Sequence, residues 1–345
     1  MIQSKINIQK LIDTAKAMVA NNKGLLAIDE SFPTCNKRFA KLGIPETAEL
    51  RRDYRELIVT TPGLNESISG VILFDETVHQ HLKDGSSFIK VLTDKRIIPG
   101  IKVDAGTVAM AGHPGEKITE GLDNLHGRLT DYARLGLQFA KWRAVITIGK
   151  GIPTQACIEA NAHALARYAA LCQEEGLVPI VEPEVLMDGD HTMKCCLEVT
   201  EQVLHTVFNQ LYAQGVMLEG MILKPNMIVP GLDCKKQESD EEVADATIKC
   251  LLCTVPAAVQ GIAFLSGGQS SELASARLNA MNVRFKSKLP WEVSFSFGRA
   301  IQQPALDIWH GEQTNVPKAQ KALFHRASCN RAARQGEYNI EIESK

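Results

Sequence analysis

The sequence predicts an α/β protein of the (β/α)8, or TIM-barrel, class, folded as a single domain over residues 1–345. Two observations support this prediction. Eight short apolar runs bounded by glycine or proline recur along the chain, as buried parallel strands do. Segments with a helical period of 3.6 residues lie between several of these runs. Eight strands alternating with helices is the number that closes a parallel barrel.

The eight predicted strands are four to eight residues long and rich in Val, Ile, Leu or Phe. An open doubly wound sheet is the alternative, but no G-x-G-x-x-G follows the first strand, which argues against a dinucleotide-binding fold. In chain order the strands lie in GLLAIDES from Gly24, GVILFDE from Gly70, IIPGIKVD from Ile97, WRAVITIG from Trp142, LVPIVEPE from Leu177, GMILKPN from Gly220, GIAFLSGG from Gly261 and EVSFSFGR from Glu292.

Helical spacing of apolar residues predicts the elements between the strands. Residues of about 5–20 alternate polar and apolar side chains and are expected to form an amphipathic helix, and about 337–345 a short tail. Ser239 and Glu242 fit a capping box that opens another helix. Three further apolar stripes are Leu125/Leu129/Tyr132, Ile158/Leu165/Cys172 and Leu197/Leu204/Leu211.

Composition and charge restrict the class of protein. The chain is 45% hydrophobic and 23% charged, with a formal net charge of -2, as is typical of soluble globular proteins. This charge gives no reason to expect nucleic acid or an anionic membrane as a partner. No stretch approaches 18 consecutive apolar residues and the N-terminal segment lacks a signal-peptide core, so we expect no membrane span and a cytoplasmic location.

The nine cysteines include one motif that could suggest chemistry. Cys250 and Cys253 form a C-x-x-C, a spacing used in redox sites and in halves of zinc sites. No second pair at a suitable spacing accompanies it, and it lies in an apolar helical pattern. We therefore expect reduced cysteines that pack as small hydrophobic residues.

Ionisable or small polar residues follow nearly every predicted strand. A barrel places its active site at the carboxyl ends of its strands, so these residues are expected to converge there. One such residue alone is more often a helix cap or a salt-bridge partner, but many buried charges at one site seldom stabilise a fold. In strand order they are Asp29, Glu30 and Ser31; Asp75 and Glu76; Lys102 and Asp104; Lys141 and Arg143; Glu182 and Glu184; Lys224; Ser266, Gly267 and Gly268; and Ser296, Gly298 and Arg299.

Lys224 is unusual because an apolar strand delivers it to the point where the strand ends, although an ammonium group is costly to bury. Near apolar walls and another cation such as Lys141, the ammonium form is disfavoured and the free amine is nucleophilic. Such an amine can attack a carbonyl and form an imine, which makes a carbon–carbon bond nearby breakable. Glu182, Glu184 and Asp29 are candidates to transfer protons.

The seventh and eighth strands end in residues suited to a phosphate group. Ser266, Gly267 and Gly268 offer a hydroxyl and unobstructed backbone N–H groups at a helix start. Gly298 and Arg299 add a second glycine and a guanidinium group. Phosphate sites in barrels frequently follow these two strands, so we expect this side of the site to bind a phosphate group.

At this point a family resemblance is evident. The motifs LLAIDES, GIKVD, FAKWR, VEPE, ILKPNM, FLSGGQ and SFGRA, in order from Gly24 to about Gly336, resemble those of class I fructose-bisphosphate aldolases. The resemblance implies a (β/α)8 barrel, usually a homotetramer, that needs no metal or other cofactor. It also implies reversible cleavage of fructose 1,6-bisphosphate into dihydroxyacetone phosphate and glyceraldehyde 3-phosphate, in glycolysis or gluconeogenesis.

The same resemblance implies residue roles. Lys224 resembles the Schiff-base lysine, and Glu182, with Glu184 beside it, resembles the principal proton-transfer group. Asp29 is similar to the residue that positions that lysine and assists cleavage, and Lys141 to the one that polarises the substrate hydroxyl. Ser266, Gly267, Ser296, Gly298 and Arg299 match the phosphate site on the ketone side; Ser31, Thr34, Arg38 and Lys102 match positions near the other phosphate; Gly268 and Arg143 are further substrate-binding candidates.

Three departures from the family pattern are visible. Phe32 and Pro33 precede Thr34 where many members have a Thr-Gly-Ser turn, so we expect a stiffer loop. Ala105 stands where many members have a second lysine, which removes one positive charge. The chain ends in YNIEIESK, without the longer tail whose terminal tyrosine reaches the site in animal enzymes, and Tyr338 is not expected to replace it.

Other functions stay open at this stage. One is another imine-forming lyase or transferase that acts on a sugar phosphate. A second is a catalytically silent barrel that serves as a scaffold, although such a protein would be expected to lack Lys224 or Glu182. A metal-dependent aldolase is a third, but the nine histidines include no H-x-x-x-H or cluster with carboxylates.

Overall fold

The protein, represented by a computed structural model that describes residues 7–344, contains ten strands. They are β1 (Gly24–Ala27), β2 (Ile68–Leu73), β3 (Ile98–Lys102), β4 (Gly106–Ala109), β5 (Lys117–Glu120), β6 (Phe139–Ile146), β7 (Val178–Val185), β8 (Ile222–Leu223), β9 (Gly261–Phe264) and β10 (Glu292–Phe297). Eight of them pair in parallel and close a barrel in the order β1-β10-β9-β8-β7-β6-β3-β2. The predicted barrel fold is confirmed.

Helices connect the strands. They are α1 (Ile8–Val19), α2 (Phe32–Ala40), α3 (Ala48–Thr60), α4 (Asp75–His79), α5 (Phe88–Asp94), α6 (Leu125–Arg134), α7 (Gln155–Glu174), α8 (Met193–Ala213), α9 (Asp240–Thr254), α10 (Ser271–Phe285), α11 (Arg299–Trp309), α12 (Val316–Gln335) and α13 (Ile340–Glu343). The helix expected over about 5–20 is α1, and positions 5 and 6 lie outside the described residues. The expected tail contains α13, and residue 345 also lies outside them.

The interior of the barrel is a separate apolar core. Leu25, Ile72, Phe139, Ile180 and Ile222 are fully buried in it, on strands that each contribute alternate side chains to the inside. The outer helices bury a second, larger cluster against the outside of the barrel. This two-layer arrangement is the expected packing of a (β/α)8 domain.

Helix α1 packs across the end of the barrel where the strands begin. Its residues Leu11, Ala15 and Met18 are buried in the same cluster as the barrel interior. Val19 lies so close to Gly261, the first residue of β9, that a Cβ there would be 2.6 Å from the valine side chain. Because α1 occupies this end, the carboxyl ends of the strands are the end left for a ligand.

The predicted outer helices are present with their expected buried faces. Leu125, Leu129 and Tyr132 are buried along α6. The capping box of α9 is formed in both directions: the Ser239 hydroxyl accepts from the Glu242 N–H at 3.2 Å, and the Glu242 carboxylate accepts from the Ser239 N–H at 2.9 Å. These bonds satisfy donors that the first turn of a helix leaves free.

All nine cysteines are unpaired, and six of them are buried. Cys250 is buried on α9 and Cys253 is exposed on the same helix, so the C-x-x-C motif is part of an ordinary amphipathic helix. The prediction of reduced cysteines is confirmed, whereas the prediction that they pack as small hydrophobic residues does not describe Cys253. Among residues 7–344, no helix combines the length and hydrophobicity that crossing a membrane would require.

The sequence did not predict the hairpin that lies between β3 and β6. Strands β4 and β5 form an antiparallel hairpin, in which Thr107 faces Thr119, that follows β3 at the carboxyl end of the barrel. Its strands are short and mostly polar, so they lack the apolar run that identified the other strands.

Candidate active site

A cavity of about 550 Å³ opens at the carboxyl ends of the strands, here called the mouth of the barrel. It brings together all of the predicted site residues except Gly268, which packs beside Met187. The predicted residues that line it are Asp29, Ser31, Thr34, Arg38, Lys102, Lys141, Arg143, Glu182, Glu184, Lys224, Ser266, Gly267, Ser296, Gly298 and Arg299.

The alternation of side chains along each strand explains why these groups meet. On β6, Phe139 fills the barrel interior, and Lys141 two residues later points the same way but one layer closer to the mouth. On β7, Ile180 and Glu182 repeat this relation. On each strand the charged side chain is thus one inward-facing position nearer the mouth than an apolar one, and the register places Lys141 beside Ile180.

Strands β8 and β1 complete the charged layer in the same way. Ile222 is buried in the interior and Lys224 follows two residues later, still bonded to the barrel because its N–H donates to Val181 O at 2.8 Å. Ala27 precedes Asp29 by the same interval. The strand period therefore places two lysines and two carboxylates at one level of the barrel.

These four groups form a continuous chain of contacts. Lys224 Nζ lies 3.2 Å from Glu182 Oε1, and Lys141 Nζ lies 3.5 Å from Glu182 Oε2. Lys141 Nζ also lies 2.6 Å from Asp29 Oδ2. Glu182 thus lies between the two lysine side chains, beside Lys224 as well as beside Lys141. A carboxylate able to receive a proton is in direct contact with Lys224.

Burial and charge together set the protonation of this chain. Burial raises the pKa of the Asp29 carboxyl, but the ammonium groups of Lys141 and Lys224 outweigh it and lower that pKa to about 2. Burial works against the charge of Lys141, yet the carboxylates of Asp29 and Glu182 raise its pKa above the ordinary value. Both groups are therefore ionised at neutral pH.

Two more ion pairs lie along the wall of the cavity nearest β3, β6 and β7. The Arg143 guanidinium donates to the Glu184 carboxylate, which raises the pKa of Arg143 against the effect of its burial. Lys102 donates to Asp104 O at 2.7 Å and pairs with the Asp104 carboxylate. Glu184, predicted as a proton-transfer group, is thus held by an arginine at the edge of the charged layer.

The side of the cavity formed by β9 and β10 contains the predicted phosphate groups. Gly267 has a φ of +66°, a conformation that favours glycine. Its carbonyl accepts a 2.6 Å bond from Arg299 Nη2, which links the two glycine turns. Ser296 is buried, and its hydroxyl has no partner among the described residues. An unsatisfied buried hydroxyl facing a cavity suits a ligand oxygen.

Helix α2 forms the opposite side. Ser31 and Thr34 both line the cavity, with their hydroxyl oxygens 3.2 Å apart. Arg38 also lines it, but its guanidinium is engaged by Glu30 and donates to Gln302 Oε1 at 3.0 Å. Arg38 therefore has internal partners where the sequence predicted a phosphate contact.

Several lining residues were not predicted. Lys37 on α2 and Lys41, the C-cap residue of the same helix, are exposed and follow Thr34 on its cavity side. Their spacing from Thr34, three and seven residues, is a helical signal that the sequence already contained. Gly106 and Thr107 come from the β4–β5 hairpin and line the rim.

The carboxylates after the second strand do not reach the cavity. Asp75 accepts a 2.7 Å bond from the Tyr132 hydroxyl, and Glu76 forms a two-point ion pair with Arg51. Neither lines the cavity. The expectation that they join the other strand-end charges is therefore wrong, because both lie in α4 and bond to neighbouring helices instead.

Comparisons with known proteins give a consistent result. The family model described as fructose-bisphosphate aldolase class-I matches residues 10–345. A probable fructose-bisphosphate aldolase class 1 of Xanthomonas campestris pv. campestris is 56% identical, over 96% of this chain and 99% of the relative. The fructose-bisphosphate aldolase of Dictyostelium discoideum is 50% identical, over 96% and 93%.

A solved structure has the same fold. The fructose-bisphosphate aldolase of Plasmodium falciparum, crystallised with TRAP and a small-molecule inhibitor, superimposes with a TM-score of 0.94 at 45% identity, over 96% of this chain and 95% of the other. A closed barrel whose mouth holds a lysine against a buried carboxylate is an arrangement that a lyase of the Schiff-base class can use. With these relatives, the chain belongs to the class-I fructose-bisphosphate aldolase family. The scaffold and transferase alternatives lose their support.

Proposed function

We propose that Lys224 forms the Schiff base with which this enzyme reversibly cleaves fructose 1,6-bisphosphate into dihydroxyacetone phosphate and glyceraldehyde 3-phosphate. The observation that supports this role is the chain of contacts from Lys224 through Glu182 and Lys141 to Asp29, with separations of 3.2, 3.5 and 2.6 Å. It connects a nucleophile to two carboxylates without an intervening solvent layer. Such direct contact is what proton transfer during imine formation requires.

The first step needs a neutral amine at Lys224. Glu182 Oε1, 3.2 Å away, is the nearest base, and it takes the ammonium proton as the amine adds to the substrate C2 carbonyl. The same carboxyl then returns a proton to the departing oxygen, which leaves as water and gives the iminium. The iminium accepts the electron pair of the C3–C4 bond, so that cleavage produces an enamine and releases the aldehyde.

Asp29 and Lys141 control charge during that cleavage. The C4 hydroxyl passes its proton to the Glu182 carboxylate as the aldehyde forms, and the Lys141 ammonium stabilises the developing oxyanion. Asp29, whose pKa is about 2, stays a carboxylate throughout and holds Lys141 in its charged form. Glu182 reprotonates C3 of the enamine, and water then releases the ketone product from Lys224.

The two ends of the substrate would occupy opposite sides of the cavity. Ser266, Gly267, Ser296 and Arg299 would bind the phosphate on the ketone side, supported by the unpartnered Ser296 hydroxyl. Ser31, Thr34 and Lys102 would bind the other phosphate, joined by Lys37 and Lys41. Positive charge from α2 is consistent with a bisphosphate substrate, because a second phosphate needs its own counter-charge.

Trapping the imine tests this proposal. The protein is treated with borohydride in the presence of dihydroxyacetone phosphate, digested, and mapped by peptide mass. We expect one adduct on the peptide that contains Lys224, and no adduct and a loss of cleavage of at least about a thousandfold in Lys224→Met. Circular dichroism and thermal unfolding establish that the variant is folded. An adduct on Lys141 instead would refute the assigned roles.

We also infer that the reaction needs no metal ion, since the charged layer already supplies a proton acceptor and an oxyanion partner. Among residues 7–344, the one group of potential metal ligands is His325, Cys329 and Glu343, and none of the three lines the cavity. Activity is therefore expected to survive dialysis against a chelator. Chelator-sensitive turnover without a trapped adduct would contradict the imine mechanism.

The remaining proposals concern assembly and location. We infer one domain, a homotetramer by family resemblance, and a cytoplasmic enzyme, the last supported by relatives that include a cytosolic aldolase of Arabidopsis thaliana. Large exposed apolar side chains such as Val283 and Leu252 are available for subunit contacts. Sedimentation equilibrium should give about four times the chain mass of 37.8 kDa.

A further inference from the structure

Phe32, at the start of α2, is an exposed aromatic residue with an ordered set of neighbours. Its side chain keeps 44% of its accessible surface, although exposing an aromatic ring forgoes the free energy of its burial. The ring meets Phe74 edge to face, with centroids 5.2 Å apart and planes at 84°, the arrangement that aromatic pairs prefer. Phe74 is the residue that precedes α4, so the contact joins the start of α2 to the end of β2.

Arg51 covers another side of the same ring. The guanidinium carbon lies 5.0 Å from the Phe32 ring centroid, within the range of a cation–π interaction. Glu76 fixes this guanidinium by accepting two bonds, of 2.9 Å from Nε and 2.7 Å from Nη2. Its third nitrogen, Nη1, donates to Asn36 Oδ1 on α2 at 3.0 Å. Phe32 therefore lies between Arg51 of α3 and Phe74, the residue that follows β2.

These contacts give a role to Glu76, a carboxylate that lies outside the active site. Glu76 follows the second barrel strand yet does not line the cavity. Through Arg51 it acts on α2, the element that supplies one whole side of the cavity. The ion pair is mostly buried, with side-chain exposures of 12% for Arg51 and 17% for Glu76, so both partners are fixed in position.

The residues next to Phe32 are those that face the substrate. Ser31 precedes it directly, and neither Ser31 nor any other side chain caps the first turn of α2. Both Ser31 and Thr34 keep their hydroxyls at the cavity, 3.2 Å from each other. Because no cap hydrogen bond fixes this turn, another interaction must set its position.

We propose that Phe32 is a positioning residue that determines affinity for the substrate phosphate at the α2 side of the cavity. This inference rests on the proposed function, which assigns that phosphate to Ser31, Thr34 and the lysines of α2. The Phe74–Phe32–Arg51 stack fixes the first turn of α2, and the turn presents both hydroxyls to the phosphate. The ring touches neither Lys224 nor the ketone end, so it affects binding of one phosphate and not the chemistry.

A comparison of two substrates tests this inference. Fructose 1,6-bisphosphate places a phosphate at each end, whereas fructose 1-phosphate has none at the α2 side. We expect Phe32→Ala to raise KM for the bisphosphate about fivefold or more with kcat changed less than about twofold, and to leave kcat/KM for the monophosphate unchanged. Phe32→Tyr, which keeps the ring, should restore the bisphosphate KM.

Arg51→Gln tests the same stack without changing a residue of α2. It removes the cation above the ring and should raise the same KM, and the double variant with Phe32→Ala should be less than additive because both act through one stack. Tyr212→Ala, which removes an aromatic ring that is 75% exposed on α8, is the matched control. It should change neither kcat nor KM for either substrate.

Equal losses for both substrates in Phe32→Ala, or no loss for either, would overturn the inference. The wild-type enzyme separates this failure from failure of the proposed function. If the wild type traps no imine at Lys224, the proposed function fails. If it traps the imine and prefers the bisphosphate, but Phe32→Ala keeps the same preference, only the role of Phe32 fails.

Discussion

Asp29 and Glu182 are both carboxylates in the charged layer, but their surroundings give them different tasks. Asp29 contacts the Lys141 ammonium at 2.6 Å, and its pKa of about 2 makes it a poor proton acceptor at neutral pH. Glu182 contacts Lys141 and Lys224 at longer distances. The geometry therefore favours Asp29 as a fixed charge and Glu182 as the group that exchanges protons.

The pKa of Asp29 predicts how stability depends on pH. A carboxyl whose pKa falls from 3.8 to about 2 on folding contributes stability that is fully present above pH 3.8 and is lost as the pH falls toward 2. The full contribution is about 2 kcal/mol. We expect Asp29→Asn to flatten the fall in the free energy of unfolding between about pH 4 and pH 2, measured by urea titration.

Asp245→Asn is the matched control for this measurement. Asp245 pairs with Arg284 on the surface, with exposures of 49% and 40%, and exposed pairs of this kind contribute little to stability. Its profile should follow the wild type. An unchanged slope in Asp29→Asn would show that the Lys141 contact does not persist in solution.

The position of the candidate catalytic residues at the barrel mouth was predictable because each follows an apolar run that ends there. Lys224, Glu182 and Asp29 were identified in this way. The partner of each charge was not predictable, since the contact between Lys224 and Glu182 depends on the register of β7 and β8. Arg38 shows the same limit: its motif suggests a phosphate ligand, whereas its position beside Glu30 depends on how α2 packs.

At the scale of elements, the contact between Phe139 and Gly100 packs the barrel interior next to the charged layer. Phe139 on β6 fills the barrel interior two residues before Lys141, and Gly100 on the paired strand β3 gives it room. A Cβ at Gly100 would lie 2.2 Å from the Phe139 ring, closer than atoms can approach. The glycine is needed for space, because its φ is not in the left-handed region.

Gly100→Ala should therefore overpack the barrel. We expect it to destabilise the protein by about 1–3 kcal/mol, measured as a lower denaturant midpoint. Adding Phe139→Leu removes the atoms in conflict and should recover part of that loss. The double variant should therefore lose less stability than the sum of the two single variants.

Gly127→Ala is the control for Gly100→Ala. Gly127 lies within α6, a Cβ there would meet nothing within 4 Å, and its φ is ordinary. Gly127→Ala should stabilise the protein by up to about 1 kcal/mol, since alanine favours the helix. Destabilisation by both alanine substitutions to the same extent would contradict the steric explanation for Gly100.

The elements that the sequence revealed are those with strong periodic patterns. All eight barrel strands and the helices with apolar stripes were predicted, because burial on two faces or on one stripe leaves a visible signature. The β4–β5 hairpin has no such signature, since Val108 is exposed and its neighbours are polar or small. Helix α2 was missed for a similar reason: it buries only Cys35 and Phe39.

At the scale of the whole molecule, α1 and the C-terminal tail occupy positions away from the mouth. Helix α1 packs on the end where the strands begin. In the tail, the Tyr338 hydroxyl donates to Glu343 Oε2 at 2.6 Å, and the Glu343 carboxylate also pairs with Arg326 of α12. None of the residues in 337–344 lines the cavity. The expectation that Tyr338 does not serve the active site agrees with this placement.

The tail should therefore matter for stability and not for turnover. Arg326 is only 3% exposed and would keep Ser271 O at 3.0 Å and Ser275 Oγ at 2.9 Å after truncation, but it would lose its only carboxylate partner among the described residues. A buried guanidinium without its counter-charge costs about 1–3 kcal/mol even when water can reach it. We expect deletion of 337–345 to lower the Tm by a few degrees, with kcat for fructose 1,6-bisphosphate within about twofold of the wild type.

Glu343→Gln distinguishes the ion pair from the tail as a whole. It keeps the tail and its packing but removes the charge that faces Arg326. It should therefore reproduce most of the loss in Tm and leave kcat unchanged. Thermal unfolding and steady-state cleavage on the same samples give both quantities. A tenfold fall in kcat after truncation, with the Tm unchanged, would mean that the tail leaves α12 and reaches the barrel mouth during the reaction. The Arg326–Glu343 pair opposes that movement, because opening it would leave the buried arginine without its carboxylate partner in every catalytic cycle.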